Sequence, residues 1–207
     1  MGLTPENWAL FALSATLIEL TPGPNMAYLA IVGVSDGRRA GYAAVAGVAL
    51  GLLIVGLSAA AGLAAAINAS PLLYQGLRWG GVAYLLWLAW DGWRDADEAV
   101  EHAALHSSLG RFFRRGLVTN LLNPKAAVFY VAVLPGFISP GADVMAQTLV
   151  LSLTFVTVAT AIHITIVTLA GSLRPFLEDP GKRLVVRRVL AVALALVAVW
   201  FAWKTRG

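Results

Sequence analysis

The stretch Ile18-Glu19-Leu20-Thr21-Pro22-Gly23-Pro24-Asn25 interrupts the first long apolar segment of this chain of 207 residues. At about 1.5 Å of rise per residue, the interruption lies near the middle of a membrane-spanning helix. Pro22 and Pro24 lack an N–H donor and clash with the preceding turn, so we expect them to release the carbonyls of Ile18 and Leu20. Unpaired backbone costs several kcal/mol in hydrocarbon and is tolerated only where protein or a polar cavity covers it. The sequence therefore predicts a broken helix that opens onto such a cavity.

The composition indicates that the bilayer is the solvent of this chain. Hydrophobic residues make up 59% of the sequence and charged residues 13%, whereas soluble domains carry roughly a quarter charged residues. The mean hydropathy is +0.76, and a soluble fold of this length has too little interior to bury so much apolar surface. The absence of cysteine excludes disulfides, thiol catalysis and cysteine metal sites.

Six apolar runs are each long enough to span a bilayer, which takes about 20 residues. They cover residues 8–34, 41–67, 72–90, 116–134, 145–173 and 184–203. Nothing basic precedes the first run, so we expect a permanent helix there and not a cleavable signal peptide. The expected architecture is one all-α integral membrane domain over residues 1–207, with halves at about 1–91 and 114–207 and a charged loop at about 92–113.

The placement of the basic residues predicts the orientation of the chain. Loops on one side hold eleven of the 15 Lys and Arg residues: Arg38, Arg39, Arg94, Arg111, Arg114, Arg115, Arg174, Lys182, Arg183, Arg187 and Arg188. The other side has only Lys204 and Arg206, at the end of the chain. Cytoplasmic loops retain Lys and Arg during insertion, so we expect both termini outside. The net charge of +4 is then a topology signal and not a nucleic-acid-binding patch.

A second interruption, Asn123-Pro124-Lys125, lies at a corresponding depth in the fourth run. Pro124 is expected to release the carbonyl of Asn120, and the amides of Asn120 and Asn123 add polar groups there. Each interruption falls in the first helix of a set of three. Because three helices per half reverse the direction of insertion, we predict two inverted repeats with a central site between the broken helices.

Two ionisable residues flank these interruptions. Glu19 precedes the first and Lys125 closes the second, and burying either one alone is expensive. The half-helix over residues 26–34 would present free N–H groups and a positive dipole end to an anion. A free amino acid carries one ammonium and one carboxylate, so the site suits a zwitterion. The alternative is a structural ion pair between the two broken helices.

His163 and a pair of loop histidines are the other candidates for chemistry. His163 can relay a proton, or it can stay neutral and donate a hydrogen bond to a nearby threonine hydroxyl. His102 and His106 have metal-compatible spacing but no clear third ligand, so we interpret them as a solvated helix face and expect no metal site. Gly47 and Gly51 are interpreted as a small-residue packing stripe.

Both interruptions lie in longer motifs that resemble those of the LysE/RhtB family of amino-acid exporters. The first motif is Thr21-Pro22-Gly23-Pro24-Asn25, followed by Gly37-Arg38-Arg39-Ala40-Gly41 and by residues 47–51; the second is Asn123-Pro124-Lys125-Ala126-Ala127-Val128-Phe129, followed by Leu134-Pro135-Gly136-Phe137. The resemblance implies a bacterial inner-membrane protein that exports amino acids or close analogues, driven by the proton gradient. Leu52 and Gly136 depart from the residues often found in the family.

Together these observations predict a secondary exporter with no cofactor and no enzymatic activity. Its site residues would be Glu19, Thr21, Pro22, Gly23, Pro24, Asn25, Asn120, Asn123, Pro124, Lys125 and His163. A single intramembrane carboxylate and a single ammonium favour a neutral substrate, and the family resemblance implies one like homoserine, threonine or leucine. The halves would rock around it by alternating access, with Glu19 or His163 exchanging a proton. The expected partners are the substrate, protons and the lipid bilayer, a homo-oligomer being compatible with the sequence.

Three other classes of protein were weighed. An exporter of small ions or other metabolites with the same architecture is the main alternative, although hard cations usually require several carboxylates. An intramembrane enzyme is disfavoured because the sequence contains no HExxH or GxSxG motif and no paired membrane aspartates. A structural subunit would not need charged, broken helices at mid-bilayer depth.

Overall fold

The chain is helical throughout the regions that the computed structural model describes. These are residues 2–21, 23–60, 108–139 and 143–172, with scattered positions between 72 and 93 and between 185 and 203. Six α-helices occur there: α1 (Pro5–Leu20), α2 (Pro24–Ser35), α3 (Arg38–Ala60), α4 (Leu109–Leu121), α5 (Pro124–Val128) and α6 (Val144–Ser172). A π-helical turn, Phe129–Val133, and a 3-10 turn, Leu134–Phe137, follow α5. No strand occurs in these regions.

The first apolar run is divided between α1 and α2, as the sequence predicts. Thr4 caps α1 by accepting a hydrogen bond from the N–H of Asn7 at 3.2 Å, and the helix ends before an extended Thr21. Gly23 is also extended and precedes Pro24, the first residue of α2. The predicted release of the Ile18 carbonyl is wrong, because this oxygen accepts the N–H of Thr21 at 3.1 Å and the Thr21 hydroxyl as well.

The fourth apolar run is also divided, at Asn123, but its helix starts earlier than the hydropathy predicts. Helix α4 begins at Leu109, seven residues before 116, and buries Phe112 in the core. After α4, the Asn123 side chain caps α5 by accepting a hydrogen bond from the N–H of Lys125 at 3.0 Å. The predicted release of the Asn120 carbonyl is wrong, since this oxygen accepts the N–H of Asn123 at 2.9 Å.

Two of the described helices are long and apolar enough to cross a membrane. They cover Arg38–Ala59 and Val144–Ser172, and Pro24–Ser35 is a shorter apolar helix. The predicted third and sixth runs are described only at isolated positions, each of which is helical. His102 and His106 lie outside the described residues.

The backbones of α3 and α4 are in contact at two glycines, Gly47 of α3 and Gly116 of α4. A Cβ on Gly47 would collide with the carbonyl oxygen of Phe113, and one on Gly116 would collide with the carbonyl oxygen of Ala44. The packing stripe predicted at Gly47 and Gly51 is therefore confirmed. Side chains larger than hydrogen would push α4, and with it the second interruption, away from α3.

We expect Gly47→Ala to lower the free energy of unfolding by about 2 kcal/mol, because overpacking a tight contact outweighs the roughly 1 kcal/mol that alanine gains in helix propensity. The matched control is Gly136→Ala, since a Cβ at that position has no neighbour within 4 Å. Thermal unfolding of both variants in detergent provides the measurement. Equal melting temperatures would contradict the close approach of α3 and α4.

Candidate functional site

Glu19 lies at the meeting point of α1, α5 and α6. It occupies the same face of α1 as Phe11 and Ala15, at successive steps of four residues, and all three are buried. Its Oε1 lies 3.6 Å from the Nζ of Lys125, and its Oε2 lies 3.4 Å from the Nε2 of His163. One buried carboxylate is therefore shared between a permanent cation and a histidine that is charged only when protonated.

Lys125 connects the two interruptions directly. In addition to its ion pair with Glu19, its Nζ donates a hydrogen bond to the carbonyl oxygen of Thr21 at 3.0 Å. A Cβ on Gly23 would lie 3.4 Å from the Cδ of Lys125, so the lysine stem runs along this glycine. The ammonium thus neutralises the C-terminal end of α1, where the helix dipole is negative.

The bond to Thr21 is a contact that the sequence reasoning missed. The missing proline N–H groups predict free carbonyls one turn earlier, at Ile18 and Leu20. The carbonyl that receives the lysine belongs to the extended residue after the helix. Its signal in the sequence is the position of Thr21 directly before Pro22, where the chain cannot continue the helix.

His163 is nearly inaccessible and faces Glu19. Its side chain is 1% exposed, and the 3.4 Å contact with Glu19 lacks hydrogen-bond geometry. Its Nδ1 and the hydroxyl of Thr160 have no hydrogen-bond partner among the described residues. The other threonines of α6 mostly bond back to their own helix, as do Thr157 and Thr165. The structure therefore places His163 beside a carboxylate and not beside a hydroxyl partner.

Asn25 and Asn120 form the second polar contact between the two broken helices. The Nδ2 of Asn25 donates to the Oδ1 of Asn120 at 2.8 Å, and both residues are buried. Of the remaining predicted site residues, Pro24 and Pro124 are the first residues of α2 and α5. Pro22 lies outside the described residues.

These groups form an arrangement that can bind opposite charges side by side. Glu19 can accept an ammonium, while Lys125 can receive a carboxylate, as can the first-turn N–H groups of α2. With His163 neutral, the formal charges of Glu19 and Lys125 cancel. A bound zwitterion leaves that balance unchanged, whereas a proton on His163 adds one positive charge.

A family model described as LysE type translocator matches residues 16–205, a span that contains both interruptions. The chain belongs to this family. It is 32% identical to a homoserine/homoserine lactone efflux protein of Salmonella typhimurium over 97% of this chain and 98% of that protein. It is 35% identical to a leucine efflux protein of Klebsiella pneumoniae over 69% of this chain and 66% of that protein.

A third relative of this LysE-type chain is named an uncharacterized membrane protein, from Vibrio cholerae. The two are 32% identical over 84% of this chain and 85% of that protein. No solved structure matches the chain. Family membership and the apolar helices α3 and α6 together identify it as a membrane protein and a translocator.

We expect the ion pair between Glu19 and Lys125 to be energetically coupled. Lys125→Met leaves a buried carboxylate without its permanent counter-ion, which costs about 3 kcal/mol of unfolding free energy. The double variant Glu19→Gln, Lys125→Met removes both charges and should lose less than the sum of the single variants. A double-mutant cycle by denaturant unfolding in detergent measures the coupling.

The exposed Arg39 supplies the matched control for this cycle. Arg39→Met removes a cation from the first turn of α3, and we expect its effect to add to that of Glu19→Gln. Additive losses for Lys125→Met and Glu19→Gln would contradict the pairing.

Proposed function

We propose that this chain is a proton-coupled exporter of neutral amino acids or close derivatives across the bacterial inner membrane. The observation that carries the proposal is the contact of Lys125 with both Glu19 and the Thr21 carbonyl, which joins the two interruptions at one charged centre. Relatives named for homoserine, homoserine lactone and leucine efflux support an amino-acid substrate.

In the proposed binding mode, the substrate separates Glu19 from Lys125. The substrate ammonium replaces the lysine at Oε1 of Glu19, and the substrate carboxylate takes the lysine ammonium, assisted by the N-terminus of α2. Oε1 of Glu19 and Nζ of Lys125 lie 3.6 Å apart, whereas the atoms of a charge-assisted hydrogen bond are typically about 2.8 Å apart. This spacing favours exchange, because breaking the pair forfeits little direct hydrogen bonding.

The charge balance favours a neutral substrate. A neutral amino acid contributes one ammonium and one carboxylate, which Lys125 and Glu19 match. A lysine or arginine side chain would bring a further cation to a site whose only neighbouring acid among the described residues is Glu19. An extra charge without a counter-ion is costly at this depth.

Proton coupling follows from the sharing of Glu19 with His163. A proton bound to Nε2 of His163 or to Oε2 of Glu19 reduces the attraction of the carboxylate for the substrate ammonium. Proton and substrate then compete for one carboxylate, which is the requirement for an exchange of one against the other. In this scheme, export of a neutral zwitterion against a proton carries one positive charge inward per cycle.

The proposed architecture is six membrane-spanning helices in two inverted repeats, at about 1–91 and 114–207. The paired breaks after α1 and α4 support it, because corresponding interruptions in two halves are typical of inverted-repeat transporters. Alternating access would rock the repeats around the charged centre. Both termini would lie outside, since eleven basic residues lie in the loops or helix ends assigned to the cytoplasmic face.

We expect the purified protein in proteoliposomes to catalyse counterflow of neutral amino acids, and Lys125→Ala to reduce it by roughly 30-fold or more, because a buried charge partner is removed. Glu19→Gln should abolish the stimulation of flux by an imposed pH gradient. Arg39→Ala, which removes an exposed cation, is the control and should transport like the wild type. Full activity of Lys125→Ala would refute the binding mode, and flux of inorganic ions without amino acids would favour the alternative cargo.

The absence of cysteine makes the proposed orientation directly measurable. Single cysteines at Ser108 and Ser139 are unique labelling sites at opposite ends of the α4 segment. In intact cells, a membrane-impermeant maleimide should label Ser139→Cys and leave Ser108→Cys unlabelled until the cells are lysed. The reverse pattern would place the termini inside.

A further inference from the structure

The amides of Asn25 and Asn120 are paired through only one of the two hydrogen bonds that two facing amides can form. The Nδ2 of Asn25 donates to the Oδ1 of Asn120 at 2.8 Å. The remaining acceptor, Oδ1 of Asn25, and the remaining donor, Nδ2 of Asn120, have no hydrogen-bond partner among the described residues. Rotating both amides together exchanges the atoms but still leaves one donor and one acceptor unpaired.

These two groups are expensive to leave unpaired. Asn25 is 5% exposed and Asn120 is fully buried, and an unsatisfied buried polar group costs about 1–3 kcal/mol. The buried amide of Asn123, three residues after Asn120, does have a partner, because it caps α5. The two amides therefore present complementary free groups, an acceptor on Asn25 and a donor on Asn120, which one group can satisfy together.

The position of the pair connects it to the charged centre. Asn25 lies two residues after Gly23, and the aliphatic part of the Lys125 side chain packs against Gly23. Asn120 lies in the last turn of α4, just before the second interruption, and its carbonyl accepts the N–H of Asn123. Asn123 in turn caps α5, the helix that contains Lys125. A ligand held by its ammonium and carboxylate at Glu19 and Lys125 therefore has a polar neighbour within the same pair of interruptions.

The space around the pair favours a small group. A Cβ on Gly51 would lie only 2.8 Å from the Nδ2 of Asn120, so α3 closes directly over this amide. A hydroxyl is the smallest group that can donate to one atom and accept from another at the same time. It can donate to the Oδ1 of Asn25 while it accepts from the Nδ2 of Asn120.

We propose that Asn25 and Asn120 form the specificity subsite for the substrate side chain, and that this subsite selects neutral amino acids carrying a side-chain hydroxyl over those of the same size without one. The inference rests on the proposed export of neutral amino acids. It assigns to this chain a preference that family membership leaves open, since the relatives are named for homoserine and for leucine efflux. A site that hydrogen-bonds a substrate hydroxyl rejects the analogue that lacks it, because its own polar groups are then left unpaired.

Homoserine and norvaline test this preference, since they differ only by a terminal hydroxyl in place of a methyl group. In competition counterflow in proteoliposomes, we expect the wild type to favour homoserine by about tenfold or more. Asn25→Ala and Asn120→Ala should each bring the ratio close to one, through weaker use of homoserine while norvaline flux is retained. Retained norvaline flux also shows that the variants fold.

Ser152→Ala is the matched control. Ser152 is another buried side chain whose hydroxyl has no hydrogen-bond partner among the described residues, but it lies against Gly56 of α3, about 7.5 Å of helix beyond the Gly51 that lies against Asn120. Its removal should leave the homoserine-to-norvaline ratio unchanged. Loss of the preference in all three variants would indicate a general effect of lost buried polarity and would overturn the assignment.

Two further outcomes separate this inference from the proposed function. If the wild type transports both amino acids equally well, or if the asparagine variants keep the preference, the subsite assignment is refuted and a bound water satisfies the amides, while amino-acid export stands. If the wild type transports no amino acid, the proposed export fails and the subsite fails with it.

Discussion

The structure depends on one ammonium group, the Nζ of Lys125, which has two partners on the first broken helix. A helix that ends inside a membrane exposes carbonyls with no water to accept hydrogen bonds from, and a carboxylate at the same depth has no counter-ion. The contacts of Lys125 with the Thr21 carbonyl and with Glu19 meet both needs at once. The two interruptions are therefore complementary, since the second supplies the cation for the Thr21 carbonyl and the Glu19 carboxylate of the first. In the proposed alternating-access mechanism, the two halves would move around this interaction.

The positions of the interruptions were predictable from the sequence because proline acts locally. Their contacts were less so. The carbonyls of Ile18 and Asn120 were expected to be free, but the N–H groups of Thr21 and Asn123 fold back onto them as each helix ends. Residues just past a helix end thus supply donors that a count of missing proline N–H groups leaves out. The partners of Lys125 depend on contacts across about a hundred residues, which no local pattern records.

The start of α4 shows a different limit of sequence reasoning. The arginines at 111, 114 and 115 were read as the boundary of an apolar run, yet they lie within the helix. Phe112 and Gly116, four residues apart, point to the core from the same helix, while Arg114 is exposed. The three arginines therefore lie on one face of α4 and do not mark its start. In the same way, the sequence predicts Asn25 and Asn120 at the two interruptions, but it does not predict the single hydrogen bond that leaves each amide half used.

Glu19 contacts both Lys125 and His163, and in the proposed mechanism proton and substrate compete for this carboxylate. Calorimetry of substrate binding in buffers of different ionisation enthalpy measures this competition directly, as the number of protons released per amino acid bound. Over a pH range in which the free protein carries the exchangeable proton, we predict a release that approaches one proton in the wild type and disappears in Glu19→Gln. Binding that releases no proton in the wild type, or the same number in both proteins, would contradict the shared carboxylate as the site of coupling.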